Sequence, residues 1–352
     1  MREARADAPG RVTLIGAHTD EHDGFVMPCA VPRRTRVVLR ARGDDRVHAI
    51  NTQHPDLPLA YRLGEERRTG QWFDAVQGLT WVLRGGGHPI SGFDLDISSD
   101  VPPGHALASH ASLQVAVLRG ARALFGLQMD DLQIARLGRC AATEFTGATS
   151  VFDHMSASLA GDNEALFLDS RSLMHQRIPL PAGLDLVVIN TNLDEQESRN
   201  DGITRRGESA EAARLLGVSV LRDIGTEMLR RVEELPPTLA RRARHVVTEN
   251  ARVIAARSSL KSGDLRTFGR LLAESHKSWR VDYEMSAPAV DMLVDLMMST
   301  PRVFGARMTG GGQGGTVVAA VEKGAAREVA SRVIDKYARI TQRNATVLVP
   351  PP

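Results

Sequence analysis

The sequence predicts an α+β fold in two parts, on three observations. Short strand patterns alternate with helical ones through the first half, Pro179, Pro181 and Gly183 interrupt the chain, and a long helical run then closes in further strands. The expected parts are residues 1–180 and 181–352.

In chain order, VTLIG (12–16), RTRVVLRAR (34–42) and FDLDIS (93–98) carry β-branched or alternating apolar residues, with Phe93, Leu95 and Ile97 on one face. The spacing of Leu107, Ala111, Val115 and Leu118 predicts a helix from Leu107 to Phe125, opening after a Pro/Gly turn. A second helix starts at Asp130 or Asp131, either of which suits an N-cap, and runs towards Phe145. ALFLD (165–169) and LDLVVINT (184–191) read as strands. Helices follow at 206–216, 220–234, 238–261, 264–280 and 286–299. The chain closes with a glycine-rich turn feeding a strand, a helix at 324–337 and a strand near TVLVP. No repeat or low-complexity tract interrupts this order.

The 352 residues balance 44 Lys plus Arg against 42 Asp plus Glu, so the charge of +2 offers no broad basic field for nucleic acid. No apolar run approaches the roughly 18–20 residues that span a bilayer, and MREARADAPGR lacks a signal-peptide core, so the expected location is the cytosol. Cys29 and Cys140 both lie in apolar context and are expected to be buried, inert thiols.

Three segments suit chemistry. Pro102-Pro103-Gly104-His105-Ala106-Leu107-Ala108-Ser109-His110 opens a helix, where backbone N–H groups and the dipole favour an anion such as phosphate. Thr309 to Gly315 holds five glycines in seven residues, a loop that lets a ligand approach the backbone or serves as a tight turn. Neither matches the Walker pattern. Gly16-Ala17-His18-Thr19-Asp20-Glu21-His22-Asp23-Gly24 sets carboxylates and imidazoles among glycines after a strand, which suits a polyhydroxylated ligand or a solvated turn.

In order and flanks these segments resemble the galactokinase branch of the GHMP small-molecule kinases. That family's first motif reads close to GRVNLIGEHTDYNDG; here it is GRVTLIGAHTDEHDGFVMP (10–28). VVINTN (187–192), RARHVVTEN (242–250), ESHKSWRVDYEMSAP (274–288) and GARMTGGGQGG (305–315) extend the resemblance over nearly the whole chain. It implies a two-lobed fold: an N-terminal domain with a left-handed βαβ unit, a C-terminal α+β domain, and an active site between them. The implied reaction moves the γ-phosphoryl group of ATP to the anomeric hydroxyl of a small sugar.

The resemblance assigns Asp153, in SVFDHMSASLAG, as the catalytic base and Arg11 as the residue that orients it. His18, Asp20 and Gly24 match sugar-contacting positions. Ala17 stands where the family has a glutamate facing C6 of the hexose, and Gly202 falls near a family tyrosine. Both changes imply a sugar altered or extended at C6, such as an octose or a hexuronic acid. The implied ATP contacts are Gly104, His105, Ala106, Leu107, Ala108, Ser109 and His110, with Trp72, Gly311 and Gly312.

The phosphate side departs from the pattern. The family loop is close to GxGLSSSAS, and here Ala106, Ala108 and His110 replace a glycine and two serines. The two family positions directed at Mg²⁺ become His110 and Ala142. Magnesium is therefore expected to arrive on the nucleotide and water, without a protein ligand. Glu144 lies about 200° around the helix from Ala142 and is expected to face away. Two other readings stay open: a pseudokinase that only binds nucleotide or sugar, and an enzyme that uses Asp153 with His105, His110 or His154 for acid/base chemistry other than phosphoryl transfer.

Overall fold

The computed structural model describes residues 2–147, 150–193, 202–310 and 315–351. Gly311 and Gly312 lie outside the described residues. The chain forms two compact units: Met1–Arg11, Ala30–Pro103 and Leu107–Ala160 make the first, and Val12–Cys29, Gly104–Ala106 and Gly161–Pro352 the second.

The first unit is a sheet covered by helices. Strands β3 (Arg46–Asn51), β4 (Leu59–Arg62) and β5 (Phe93–Ser99) join the later part of β2 (Phe25–Ala41) in the order β4-β3-β5-β2. β5 runs antiparallel to β2, Thr35 opposite Ser99, and parallel to β3, so the chain between β3 and β5 must cross over. That crossover carries α1 (Asp74–Gly85). The expected alternation in β5 holds, with Phe93, Leu95 and Ile97 all buried.

Helix α2 (Ser109–Phe125) buries Ala111, Val115 and Leu118, as its spacing predicts. α3 (Asp131–Thr146) begins with a capping box: the Asp130 carboxylate accepts from Gln133 N–H, and the Gln133 side chain accepts from Asp130 N–H. Such a cap contributes about 1 kcal/mol. α4 (Val151–Leu159) packs against α2 and α3 and closes the apolar core that also holds Val37, Leu39 and Leu79.

In the second unit the early part of β2 pairs with β6 (Glu164–Asp169), and β6 with β7 (His175–Pro179). A separate antiparallel sheet has the order β11-β8-β10-β9, from β8 (Leu184–Asn190), β9 (Val303–Thr309), β10 (Thr316–Glu322) and β11 (Thr346–Val349). Helices α5 (Gly202–Leu216), α7 (Pro237–Ser262), α8 (Leu265–Ser278), α9 (Pro288–Met298) and α10 (Ala326–Thr341) accompany it. α8 and α9 lie on β9, α7 on α8 and α10 on β8, which buries Trp279, Tyr283, Val317 and Tyr337.

Two local expectations are corrected. The helix predicted over 220–234 is two 3₁₀ turns followed by the short α6 (Leu229–Glu233), because Ile224 and Gly225 adopt extended backbone that breaks the i to i+4 ladder. Cys29 is buried, and burial pushes its thiol up to about 12, whereas Cys140 is exposed on α3. Its apolar neighbours in sequence lie on other faces of the same helix. Among the described residues no helix is long and apolar enough to cross a membrane.

Candidate active site

Asp153 sits in the first turn of α4, where the helix dipole favours a carboxylate. The other half of its environment comes from β1 (Glu3–Ile15), 142 residues away in sequence. Arg11 donates through Nε at 2.9 Å and through Nη2 to the same oxygen, Oδ1. Both side chains are more than nine-tenths buried. The guanidinium also lies 5.0 Å from the Phe152 ring centre, and Arg11 N–H donates to Leu107 O at 2.9 Å.

The second oxygen, Oδ2, faces His110 Nε2 at 3.5 Å. Burial pushes the Asp153 carboxyl up, but Arg11 and His110 outweigh it and leave the group below the usual carboxylate range. His110 is itself lowered, by burial first and by Arg11, with Asp153 opposing. Behind it, edge-on at 5.7 Å, lies His154, whose Nε2 is 2.7 Å from Gln114 Oε1. Burial drives His154 down to about 3.

A cavity of about 220 Å³ opens in the same unit, lined among others by Trp72, Ser109, His110, His54 and Leu113. Three of the residues assigned to ATP thus share one wall system. Trp72 also serves packing: its ring meets Phe73 edge-on, and Nε1–H donates to Leu57 O at 3.1 Å.

The loop leading into α2 keeps a left-handed backbone at Gly104 (φ 76°), Ala106 (φ 58°) and Ala108 (φ 54°). A Cβ costs about 1–2 kcal/mol in that conformation. Ala106→Gly is therefore expected to stabilise the protein by up to about 1 kcal/mol, once the greater freedom of glycine in the unfolded chain is subtracted. Urea denaturation reads this directly, and a loss of stability would mean that the Ala106 methyl contributes packing worth more than its strain. His105 contributes its carbonyl oxygen, which accepts from Thr316 Oγ1 at 2.9 Å.

The donor set does not suit a protein-held Mg²⁺. Ala142 is fully buried, and Ala108 presents a methyl. Glu144 is exposed and pairs with Arg68 at 3.5 Å, as its helical angle to Ala142 predicts. His110 offers nitrogen to an ion that prefers oxygen. Among the described residues no three His, Cys, Asp or Glu side chains cluster to hold an ion.

The residues matched to sugar contacts lie in the second unit. His18 (φ 58°) stacks on Tyr283 at 4.7 Å, meets Trp279 edge-on at 5.4 Å, and places Nδ1 3.6 Å from Glu21 Oε1. Arg206 Nε donates to Glu21 Oε2 at 3.2 Å. Burial raises the Glu21 carboxyl, but His18 and Arg206 hold it at about 2. Asp20 opens the short 3₁₀ turn Asp20–His22. At Gly24 a Cβ would meet Thr19 O, which accepts the Gly24 N–H at 2.8 Å, so the close turn requires glycine.

Ala17 is only 5% exposed and joins the apolar cluster of Trp279 and Tyr283, so its methyl is covered by core. Its backbone is firmly held. The N–H groups of Gly16 and Ala17 donate to Glu249 Oε1 at 2.9 and 3.1 Å, and His245 Nε2 donates to Ala17 O at 3.1 Å. Gly202 opens α5, with Arg205 bound to Glu208 on the next turn at 3.1 Å. Tyr283, Trp279, His245 and Glu249 were not singled out from the sequence, and Glu21 was named only as one carboxylate of the segment 16–24. RARHVVTEN and ESHKSWRVDYEMSAP contain four of them, but nothing in the pattern tells that their side chains converge on His18 and Ala17.

A galactokinase galactose-binding signature matches residues 2–41, a GHMP kinase N-terminal domain residues 75–162, and a GHMP kinase C-terminal domain residues 256–339. The galactokinase of Lactococcus lactis, solved with galactose, is 29% identical, with a TM-score of 0.92 over 98% of this chain and 92% of that one. The mevalonate kinase of Methanococcus jannaschii (17% identity, TM-score 0.69, 97% and 96% covered) shares the fold. So does a D-glycero-D-manno-heptose 1-phosphate kinase from Bacteroides thetaiotaomicron (14%, 0.65, 97% and 94%). With three signatures in family order and a galactokinase match along almost its entire length, the chain belongs to the GHMP kinases, as a galactokinase-like member.

Proposed function

We propose that this kinase transfers the γ-phosphoryl group of ATP to the anomeric hydroxyl of a galactose-like sugar altered or extended at C6, an octose or a hexuronic acid. The buried Arg11–Asp153 pair carries the reading. Fixing a charged pair in a core is costly unless both charges are used or fully bonded, and this one is aimed at a carboxylate oxygen that still faces a polar neighbour. The cavity that Trp72, Ser109 and His110 line supports nucleotide binding next to it.

The sugar set supports the substrate class. In this reading Asp20 accepts sugar hydroxyls and His18, braced by Tyr283, contacts the ring; the galactose-binding signature covers both residues. Ala17 carries no acceptor for a C6 hydroxyl. Because Ala17 is buried in the apolar core, the altered specificity rests on the lost acceptor and on Gly202 rather than on open volume at Ala17. A site that has given up a hydroxyl partner loses its preference for that hydroxyl, a difference that reaches ~10⁴-fold where the bond is buried.

The roles divide simply. Arg11 orients Asp153 and neutralises charge, Asp153 receives the hydroxyl proton, and the cavity holds the nucleotide. Turnover of galactose, galacturonate and seven- and eight-carbon sugars tests the substrate, with phosphate appearing at C1 of the preferred one. Strong preference for plain galactose would remove the C6 reading. The changes at Ala108 and Ala142 favour a second reading, a binding protein without turnover. ATP binding with no phosphate transfer to any sugar of the panel would establish it.

A further inference from the structure

We infer that His110 supplies the electropositive donor that faces the transferring phosphoryl group beside Asp153, in place of a divalent cation held by the protein. The inference rests on the kinase reading above and specifies how its charge is managed.

Three observations carry it. Asp153 Oδ1 is occupied by two donors of Arg11, so the one oxygen left for a reacting hydroxyl is Oδ2, and His110 stands 3.5 Å from it. The same imidazole lines the cavity with Trp72 and Ser109, and about a third of its side chain is exposed. One ring therefore borders both the nucleotide cavity and the carboxylate, where the γ-phosphorus and the hydroxyl must meet. Third, the ring is backed by a fixed layer. His154 lies edge-on behind it, bound to Gln114, whose amide donates to Ala75 O at 3.4 Å. A donor held this way is already oriented before the reaction, which is what makes electrostatic stabilisation effective.

Among the described residues the surrounding side chains do not suit the usual alternative. Ala108 and Ala142 are methyls, Glu144 is committed to Arg68 on the exterior, and imidazole is a poor ligand for a hard cation but a good donor to a phosphoryl oxygen. In the transfer the sugar hydroxyl oxygen bonds to the γ-phosphorus while the bond from that phosphorus to the β,γ-bridging oxygen breaks. ADP leaves with the electron pair, and the hydroxyl proton passes to Asp153 and on to water. His110 forms no covalent bond; its N–H donates to a γ-phosphoryl oxygen.

The test compares wild type with His110→Ala, His110→Leu, His110→Gln and the double variant His110→Ser/Ala142→Glu. Calorimetry measures ATP binding with Mg²⁺ and with EDTA, and turnover is read with the preferred sugar of the panel. Loss of the donor is expected to lower kcat about 100-fold in the Ala and Leu variants with ATP affinity within about threefold, while Gln, which keeps an N–H, stays within about tenfold. Wild-type ATP affinity should change less than about threefold on removing Mg²⁺, and the double variant should gain at least about tenfold in the presence of the metal. A Leu variant more active than the Gln variant would reduce His110 to packing and overturn the proposal. So would wild-type ATP affinity that rises more than about tenfold with Mg²⁺ and does so equally in His110→Ala. ATP binding in neither condition would remove the kinase reading and this proposal with it.

Discussion

Asp153→Asn or Arg11→Met alone is expected to destabilise the protein by roughly 3–5 kcal/mol, because each removes one member of a charged pair whose side chains are more than nine-tenths buried. Both members are more than nine-tenths buried, and the guanidinium places two donors on one carboxylate oxygen. Replacing both together should cost much less than the sum, since no buried charge is then left alone, and the double-mutant cycle should return a coupling well above 1 kcal/mol. Costs that add to within about 0.5 kcal/mol would show that the two groups are solvated independently. Turnover separates chemistry from stability: Asp153→Asn, assayed where it remains folded, should lose about 10²- to 10⁴-fold in kcat while keeping its sugar affinity. The pair also has a pH signature. The folded carboxyl titrates below its unfolded value of about 3.9, so its stabilisation is complete above that value and disappears as pH falls through the folded one.

Between neutrality and pH 4 a different set of groups should control stability. Burial holds His22 down to about 4 and both His154 and His245 down to about 3. In the unfolded chain each imidazole takes up a proton near 6.5. Below that pH the unfolded state binds more protons than the native one, so stability falls as pH falls, by about 1.4 kcal/mol per pH unit for each group. With His110, which burial also lowers, four such groups are expected to move the urea midpoint steeply between pH 6.5 and pH 4.5. Glu21, held at about 2, stays charged in the fold across that window and adds to the slope only at its lower end, where the unfolded carboxyl begins to take up a proton. His154→Gln, which keeps a donor for Gln114, should remove roughly a quarter to a third of it. A midpoint that is flat from pH 7 to pH 5 would mean that these rings are protonated within the fold.

Much of the architecture was legible because it depends on local pattern. The alternation of Phe93, Leu95 and Ile97 and the spacing of Ala111, Val115 and Leu118 each state which face is apolar, and both faces are buried. Asp130 is a cap by its chemistry, and it caps. The failures are equally local in origin. Residues 220–234 have helical composition, but Gly225 in extended backbone lets packing choose separate turns. Cys140 has apolar neighbours in sequence that are not its neighbours on the helix surface.

By itself the sequence determined the family and the identity of the chemical groups: the order of the motifs, the aspartate and arginine retained, and His110 and the Ala142 methyl where metal-directed oxygens were expected. A missing donor is a property of one side chain, so no structure is needed to see that it is missing. Direction was decided only by tertiary structure. That Arg11 places two donors on one oxygen of Asp153 and His110 faces the other, that Glu144 turns out to Arg68, and that Ala17 is buried in the same apolar cluster as Trp279 and Tyr283 depend on which elements pack together. The chain also returns to each compact unit more than once, with Val12–Cys29 belonging with residues far downstream. Packing free energy is summed over contacts distant in sequence, and that sum decides which of the groups named by the sequence meet.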